Sequence, residues 1–449
     1  MDLSGKKVLI LGLGISGTSA ANFCAAKGAL VLAADEAPAS EISGFDALAP
    51  GIETVTGTAL PDPADFDLVV PSPGIPNARY AERARAVAGD IELAGQFLEI
   101  PIVAVTGTNG KSTTVRLIEA MLQGAGLRAR AAGNLGTPAL SLVGEPLDAA
   151  VLEVSSFQLE AVEHFRPRVA VVLNISPDHL DRHGDFEAYR RAKLRIVERQ
   201  GPDDVVILNF DDPVTREFEN RCEAQIWGFS RQQPVENGVC LDAGVALIRD
   251  GKQVRRVSID GLRLAGVHNL ENVLAALAAV TALGVDPSRA IGAVLDFPGL
   301  PHRSEYVASV SGVTFINDSK ATNPGAAVRS LEGFDSALIW IAGGRDKGLD
   351  FAELADMAAA RVKSALFYGE SAGLLAEALA GRIDVRRVED LAEAVALAAT
   401  IAQSGDTVLL APACASFDQF KSFEDRGDHF RLAVRAIAQT EQTAQETKN

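Results

Sequence analysis

The sequence is poor in cysteine, in basic charge and in long apolar runs, and each shortage removes a class of protein. Its four cysteines, Cys24, Cys222, Cys240 and Cys414, lie far apart with no C-x-x-C spacing. That pattern argues against a disulfide framework or a zinc ribbon and suits a reducing cytoplasm, where the protein is expected to reside. Lys and Arg number 42 against 59 Asp and Glu, a formal net charge of −17. A field of that sign repels nucleic acid and anionic membrane, so neither is expected as a partner and any phosphate needs a local site. No stretch approaches the roughly 20 apolar residues of a membrane span. The longest, residues 273–283, is Ala-rich, contains Thr281 and reads as a buried helix. At the N-terminus a short apolar run is interrupted at once by Gly12 and Gly14, which does not fit a signal peptide. No internal repeat or low-complexity tract is present.

What remains is a chain of 449 residues, 47% hydrophobic and 22% charged. This is a globular balance, with room for about three domains at roughly 150 residues each. Short β-branched runs at 8–11, 29–32, 67–70, 102–105, 149–152 and 169–173 alternate with Ala-rich amphipathic stretches, which predicts parallel sheets covered by helices. Glycine-rich turns near residues 12 and 107 each restart a mononucleotide-binding unit, placing a boundary near 94. Between 203 and 267 the texture predicts antiparallel ribbons, followed by a helix over about 270–283. Pro298-Gly299-Leu300-Pro301 reads as a stiff linker, strands near 313–316, 336–341, 365–368 and 407–410 predict a third α/β unit, and the polar tail after about Thr440 is expected to fray. The expected architecture is α/β in three domains. Residues 1–94 form a Rossmann-like domain, and 95–299 a central parallel-sheet, P-loop-like domain with a small antiparallel β insertion. Residues 300–449 form a second Rossmann-like domain.

Two motifs carry phosphate chemistry. Gly12-Leu13-Gly14-Ile15-Ser16-Gly17 follows a strand, opens a helix and is followed by Asp35 at the end of the next strand. A tight turn of this kind brings backbone N–H groups and a helix N-terminus to a diphosphate. On these residues alone it fits a dinucleotide oxidoreductase, another diphosphate ligand or a plain close-packed turn. Pro71-Ser72-Pro73-Gly74-Ile75-Pro76 forms a matching turn after a later strand. The second motif, Thr106-Gly107-Thr108-Asn109-Gly110-Lys111-Ser112-Thr113, has Val105 where the full G-x-x-x-x-G-K-[ST] pattern has its first glycine. Its mechanics survive: small residues admit phosphate oxygens to backbone N–H groups, Lys111 neutralises the terminal phosphate, and a hydroxyl of Ser112 or Thr113 reaches Mg²⁺. Glu153, at a strand end facing this loop, is a candidate Mg²⁺ ligand. His179 and His183, spaced i, i+4, sit among Pro177, Asp178 and Gly184, which reads as loop and not as one zinc-binding helical face.

The shortened G-T-N-G-K-S loop resembles that of the Mur ligase superfamily. The resemblance extends through Leu152-Glu153-Val154-Ser155-Ser156, 174–184 (N-I-S-P-D-H-L-D-R-H-G), Tyr189-Arg190-Arg191-Ala192-Lys193, Gly266-Val267-His268-Asn269, Pro301-His302-Arg303, 317–324 (N-D-S-K-A-T-N-P) and 413–418 (A-C-A-S-F-D), covering nearly the whole chain. The G-L-G-I-S-G start, the G-G-R-D-K-G run at 343–348 and the block ending at Gly427 are similar to the D-glutamate-adding branch.

This resemblance implies an ATP-dependent ligase that joins D-glutamate to UDP-N-acetylmuramoyl-L-alanine in peptidoglycan precursor synthesis. It implies that 1–94 binds the UDP substrate, 95–299 ATP and 300–449 the amino acid. It implies Gly14, Ile15, Ser16, Asp35, Ser72, Gly74 and Asn134 at the UDP substrate, and Gly107, Thr108, Asn109, Gly110, Lys111, Ser112, Thr113, Asn269, Asn272, Arg303 and Asp318 at ATP. Thr322, Lys347, Ser416 and Phe423 would lie at D-glutamate. Lys111, Glu153, His179 and Lys193 are implied as catalytic. Ser112, Glu153, His179 and a carbamylated Lys193 would hold two Mg²⁺ ions. A monomer is expected. A sibling ligase with another acceptor and a folylpolyglutamate synthase remain alternatives, the latter needing no UDP domain.

Overall fold

The computed structural model describes residues 1–446 apart from Lys252, Arg263, Ala265, Asp296, Pro298, Asp335 and 346–350; the side chains of Asp181 and of 440–446 are also left undescribed. The chain folds into two compact units, one of residues 1–260 with 271–295 and the other of 261–270 with 296–449.

The first unit contains two sheets. The smaller is built from β1 (Lys7–Leu11), β2 (Leu30–Asp35), β3 (Glu53–Thr56) and β4 (Leu68–Pro71), in the order β3-β2-β1-β4 and all parallel. The larger comprises β5 (Ile102–Thr106), β6 (Ala129–Gly133), β7 (Ala149–Glu153), β8 (Val169–Val172), β9 (Val205–Asn209), β10 (Gln225–Ser230), β11 (Gly238–Asp242), β12 (Val245–Asp250) and β13 (Gln253–Ser258). Its order is β13-β12-β11-β10-β9-β8-β5-β7-β6. The central strands Val103-Ala104-Val105 and Val151-Leu152 are wholly buried, as expected of parallel strands covered on both faces.

Antiparallel pairing is confined to β11–β12 and β12–β13, whereas β9, β10 and β11 continue the parallel order. The ribbon expected over 203–267 is therefore a short extension of the main sheet's edge. Val205–Asn209 is fully buried, so its apolar run marks one more interior strand.

The second unit holds β14 (Glu305–Val310), β15 (Val313–Asn317), β16 (Leu338–Gly343), β17 (Val362–Tyr368), β18 (Asp384–Arg387) and β19 (Thr407–Leu410), ordered β14-β15-β19-β16-β17-β18. Only β14–β15 is antiparallel. The last helix, Phe423–Glu446, continues past the point where fraying was expected.

Chain order explains where a ligand can sit. After β5 the chain moves toward β7 and β6, whereas after β8 it moves the other way to β9. The C-terminal ends of β5 and β8 thus flank a switch point, where open α/β sheets leave a crevice. In the smaller sheet, Gly12 and Gly17 make a second crevice possible. Gly12 has φ +83°, and a Cβ on Gly17 would overlap the carbonyl oxygen of Gly12. Gly17→Ala is expected to cost about 1–3 kcal/mol of stability as an overpacking change. A thermal melt with no loss of Tm would contradict that packing.

Candidate active site

The phosphate-type loop is held in shape by its neighbours. Gly107 at φ +150° and Gly110 at φ +85° provide backbone angles that side chains resist, and Gly110 leads straight into the helix Lys111–Gly124. That helix stays in register because Val115, Ile118 and Leu122, with Leu117 and Met121, form its buried face. Asn174, just beyond β8, braces the loop: its carbonyl accepts from Thr108 N (2.8 Å), its side-chain oxygen from Asn109 N (2.9 Å), and its amide donates to Asn109 O (3.0 Å). Thr108 Oγ1 reaches Ser176 O and Tyr189 OH, both at 3.1 Å. Thr114 Oγ1 donates to Asn272 Oδ1 (3.2 Å), which brings Asn272 to the loop.

Two lysine side chains converge on one carbonyl. Lys111 Nζ donates to Gly107 O and Thr108 O, both at 2.8 Å, and Lys193 Nζ reaches the same Gly107 O at 2.8 Å. Lys193 lies on the helix Phe186–Leu194, whose N-terminus is capped by Asp185, and is 1% exposed. Burial pushes its pKa well below the ordinary lysine value; Lys111 pushes the same way, while Asp178 and Glu153 oppose it. A depressed ammonium pKa leaves a neutral, nucleophilic amine.

Glu153 ends β7 and sits in register with Val105 of β5, directly below the loop. It is 2% exposed and accepts from Ser112 Oγ (2.5 Å) and Asn134 Nδ2 (2.9 Å). Thr113 is buried beside them. Among the described residues no group of three or more His, Cys, Asp or Glu could cage a metal. A carboxylate and a hydroxyl beside a phosphate loop instead suit Mg²⁺, which takes a few protein oxygens plus phosphate and water. The buried side-chain nitrogen of Asn109 has no hydrogen-bond partner among the described residues, leaving a donor for an anionic ligand.

His179 adopts the left-handed region at φ +53° and packs edge-on against Phe157, with centroids 4.9 Å apart. His183 is buried and tied to Ser156 Oγ (3.0 Å) and Glu160 (3.3 Å), which accounts for it structurally; burial is the main cause of its lowered pKa.

In the smaller sheet, Ser72 Oγ donates to Gly12 O (2.9 Å), joining the turns after β1 and β4. Both oxygens of Asp35 accept backbone N–H groups, from Leu13 (2.7 Å) and Ala37 (2.9 Å), so this carboxylate fixes the glycine turn. Ile15 is exposed and Gly14 caps the following helix. Ser16 hydrogen-bonds Asp90, a buried acid whose pKa is raised by burial and which also accepts from Gln158. Gly74 belongs to the neighbouring turn.

The second unit brings Arg303 and Asp318 together. Asp318 is half-buried, accepts from Ser330 Oγ and Ser304 N, and has a pKa raised by desolvation against the opposing pull of those bonds and of Arg303. Asn269 is buried in this unit, whereas Asn272 belongs to the first. Thr322 follows β15 and Ser416 follows β19, so both lie beyond C-terminal strand ends. The Phe423 carbonyl accepts from Ser319 Oγ (2.8 Å), and its ring lies 3.8 Å from Lys320 Nζ. Lys347 lies outside the described residues. Sequence reasoning assigned no role to Asn174, Asp178, Tyr189 or Arg426; all four stood inside quoted motifs, but the burial of Arg426 had no local signal.

Paired phosphate turns, a lysine-bearing loop and a buried carboxylate on such sheets define a nucleotide-dependent enzyme, and domain matches place it more closely. Residues 6–95 match the Mur ligase MurD-like N-terminal domain, 105–280 the Mur ligase middle domain and 302–414 the Mur ligase glutamate ligase domain. The chain belongs to the Mur ligase family. Its relatives include proteins named UDP-N-acetylmuramoylalanine--D-glutamate ligase from Pelotomaculum thermopropionicum (44% identical, covering 97% of this chain and 99% of the relative) and Koribacter versatilis (43%, covering 98% and 100%). Similar solved structures include a pseudomurein peptide ligase type C from Methanothermus fervidus (TM-score 0.62, 19% identical, covering 96% of this chain and 100% of that one). Another is MurF ligase from Thermotoga maritima in complex with ADP (TM-score 0.60, 17%, covering 98% and 99%). These share the fold.

Proposed function

We propose that the enzyme is an ATP-dependent ligase that adds D-glutamate to UDP-N-acetylmuramoyl-L-alanine, in the cytoplasm and as a monomer, during peptidoglycan precursor synthesis. The observation that carries the chemistry is the convergence of Lys111 and Lys193 on Gly107 O, beside the Ser112–Glu153 pair. Full-length relatives of the D-glutamate-adding type support the choice of substrates. Among the described residues no helix is long and apolar enough to cross a membrane.

Residues 1–94 bind the UDP substrate, with Gly14, Ile15 and Ser16 at the first turn, ordered by Asp35, and with Ser72 and Gly74 at the second. Asn134 lies nearer the reacting end. Residues 95–299 bind ATP at 107–113 with Asn272, and Asn269, Arg303 and Asp318 are nucleotide-binding residues by the family resemblance. Residues 300–449 hold D-glutamate through Thr322, Lys347, Ser416 and Phe423.

Lys111 uncurls from the loop carbonyls onto the terminal phosphate, exchanging neutral acceptors for an anion. The substrate carboxylate attacks the γ-phosphorus, ADP leaves and an acyl phosphate remains. The neutral amine of D-glutamate then adds to the carbonyl, the tetrahedral intermediate expels phosphate, the nitrogen gives up a proton to phosphate or solvent, and the amide forms. Two Mg²⁺ ions, when bound, would supply neutralisation of charge on the transferring group. Ser112, Glu153, His179 and Lys193 would hold those ions. The neutral Lys193 amine combines with CO₂ and releases a proton, giving a carbamate that supplies an anionic oxygen in place of a cation.

The direct test is ADP release with Mg²⁺ and ATP across a grid of UDP-muramoyl substrates and amino acids. Release confined to UDP-N-acetylmuramoyl-L-alanine with D-glutamate is expected. Turnover only with a different acceptor would overturn the substrate assignment.

A further inference from the structure

Arg182 joins two parts of the first unit that the sequence keeps about a hundred residues apart. Its Nη1 donates to Gly74 O (3.2 Å) and its Nη2 to Ile75 O (3.0 Å), both in the turn after β4. The same Nη2 donates to Glu160 Oε2 at 2.9 Å, and the two side chains are each 15% exposed. The guanidinium carbon also lies 5.0 Å from the centroid of the Phe157 ring. Phe157 in turn packs edge-on against His179 and stacks on His183 at 5.5 Å, and His183 closes back on Glu160.

A planar guanidinium with fixed donors can satisfy two carbonyls and a carboxylate while covering an aromatic face; an ammonium cannot do all of this at once. The arrangement is a rigid strut: turn 74–75, Arg182, Phe157, His179. One end is the turn assigned above to the sugar nucleotide's diphosphate, and the other is the histidine assigned above to the metal ions of phosphoryl transfer.

We infer that Arg182 is a positioning residue that sets the distance between the diphosphate turn and His179, and so delivers the substrate's carboxylate to the site of phosphoryl transfer. This rests on the function proposed above. Arg182 is not among the residues assigned above to ATP or to the reacting atoms; it acts through the turn and the Phe157–His179 stack. Reactions that depend on orientation lose rate steeply when groups shift by about an ångström. The strut therefore affects the sugar nucleotide selectively, because its carbonyl contacts lie in that substrate's turn.

The test is steady-state kinetics on Arg182→Lys, with Arg191→Lys, on the exposed outer side of the neighbouring helix, as control. Expected is a rise of about tenfold or more in KM for UDP-N-acetylmuramoyl-L-alanine with a lowered kcat. The KM values for ATP and D-glutamate should stay within about twofold of wild type and the melting temperature should be unchanged. Phe157→Leu should show the same selectivity, and in the double variant with Arg182→Lys the two effects should be less than additive. If Arg182→Lys is too unstable to assay, Phe157→Leu alone decides by the same split. Unchanged KM and kcat for the UDP substrate, or a uniform rise in all three KM values tracking a fall in Tm, would overturn the strut. Wild-type protein inactive with these substrates would instead overturn the proposed function, so the two failures are distinguishable.

Discussion

Lys193→Ala is expected to lose ADP release by roughly a thousandfold or more, the scale on which removal of a group stabilising transition-state charge acts, while its circular dichroism spectrum stays that of the wild type. The reason lies in its surroundings. A buried ammonium 2.8 Å from Gly107 O and close to Lys111 is costly as a cation, and its neutral form is the species that would capture CO₂ in the function proposed above. Replacing it removes both the amine and the anionic oxygen that the carbamate would bring. Short carboxylic acids added in solution should restore part of the activity of Lys193→Ala, because the alanine leaves space for them. The wild-type pH profile should fall on the acid side: as pH drops the amine protonates, and an ammonium does not react with CO₂. Wild-type turnover in Lys193→Ala would remove the lysine from the mechanism.

Arg426→Leu is expected to destabilise the second unit by about 3–5 kcal/mol, the range for disrupting a buried, hydrogen-bonded charge. For a unit of this size that lowers Tm by about 10 °C. Arg426 has no exposed surface. Its guanidinium donates to Ser319 Oγ and O (both 2.9 Å), Gly343 O (3.3 Å) and Cys414 O (3.1 Å). These acceptors lie at or just beyond the ends of β15, β16 and β19, so one side chain ties together three strand ends. Leucine fills the volume but leaves the carbonyls unsatisfied. Calorimetry of the whole chain should show the loss in one transition while the first unit keeps its own; an unchanged thermogram would contradict the role.

The phosphate loop was legible in the sequence because the chemistry demands small residues and a lysine within a few contiguous positions, and 106–113 supply both. Glu153 was legible for a related reason: it ends a strand whose apolar run, 149–152, is unmistakable. Interior strands such as Val169–Val172 were clear because both faces are buried. Four strands that left little trace, β3, β6, β14 and β18, lie at sheet edges. Asp384–Arg387 is largely exposed, and such a strand needs no apolar run. Contacts such as Arg182 to Gly74 and Arg426 to Gly343 are set by tertiary folding and carry no local pattern. The depressed pKa of Lys193 is likewise a property of burial; in sequence it is an ordinary helix lysine, and only the family resemblance gave it a role.

The central claim is that a carboxylate of the sugar nucleotide is phosphorylated before the amine attacks, and the fate of that carboxylate's oxygen tests it directly. With the L-alanyl carboxylate of UDP-N-acetylmuramoyl-L-alanine enriched in ¹⁸O, and with ATP, Mg²⁺ and D-glutamate present, one labelled oxygen should appear in the inorganic phosphate released, as read by mass spectrometry. Phosphate released without label, while amide product accumulates, would contradict it.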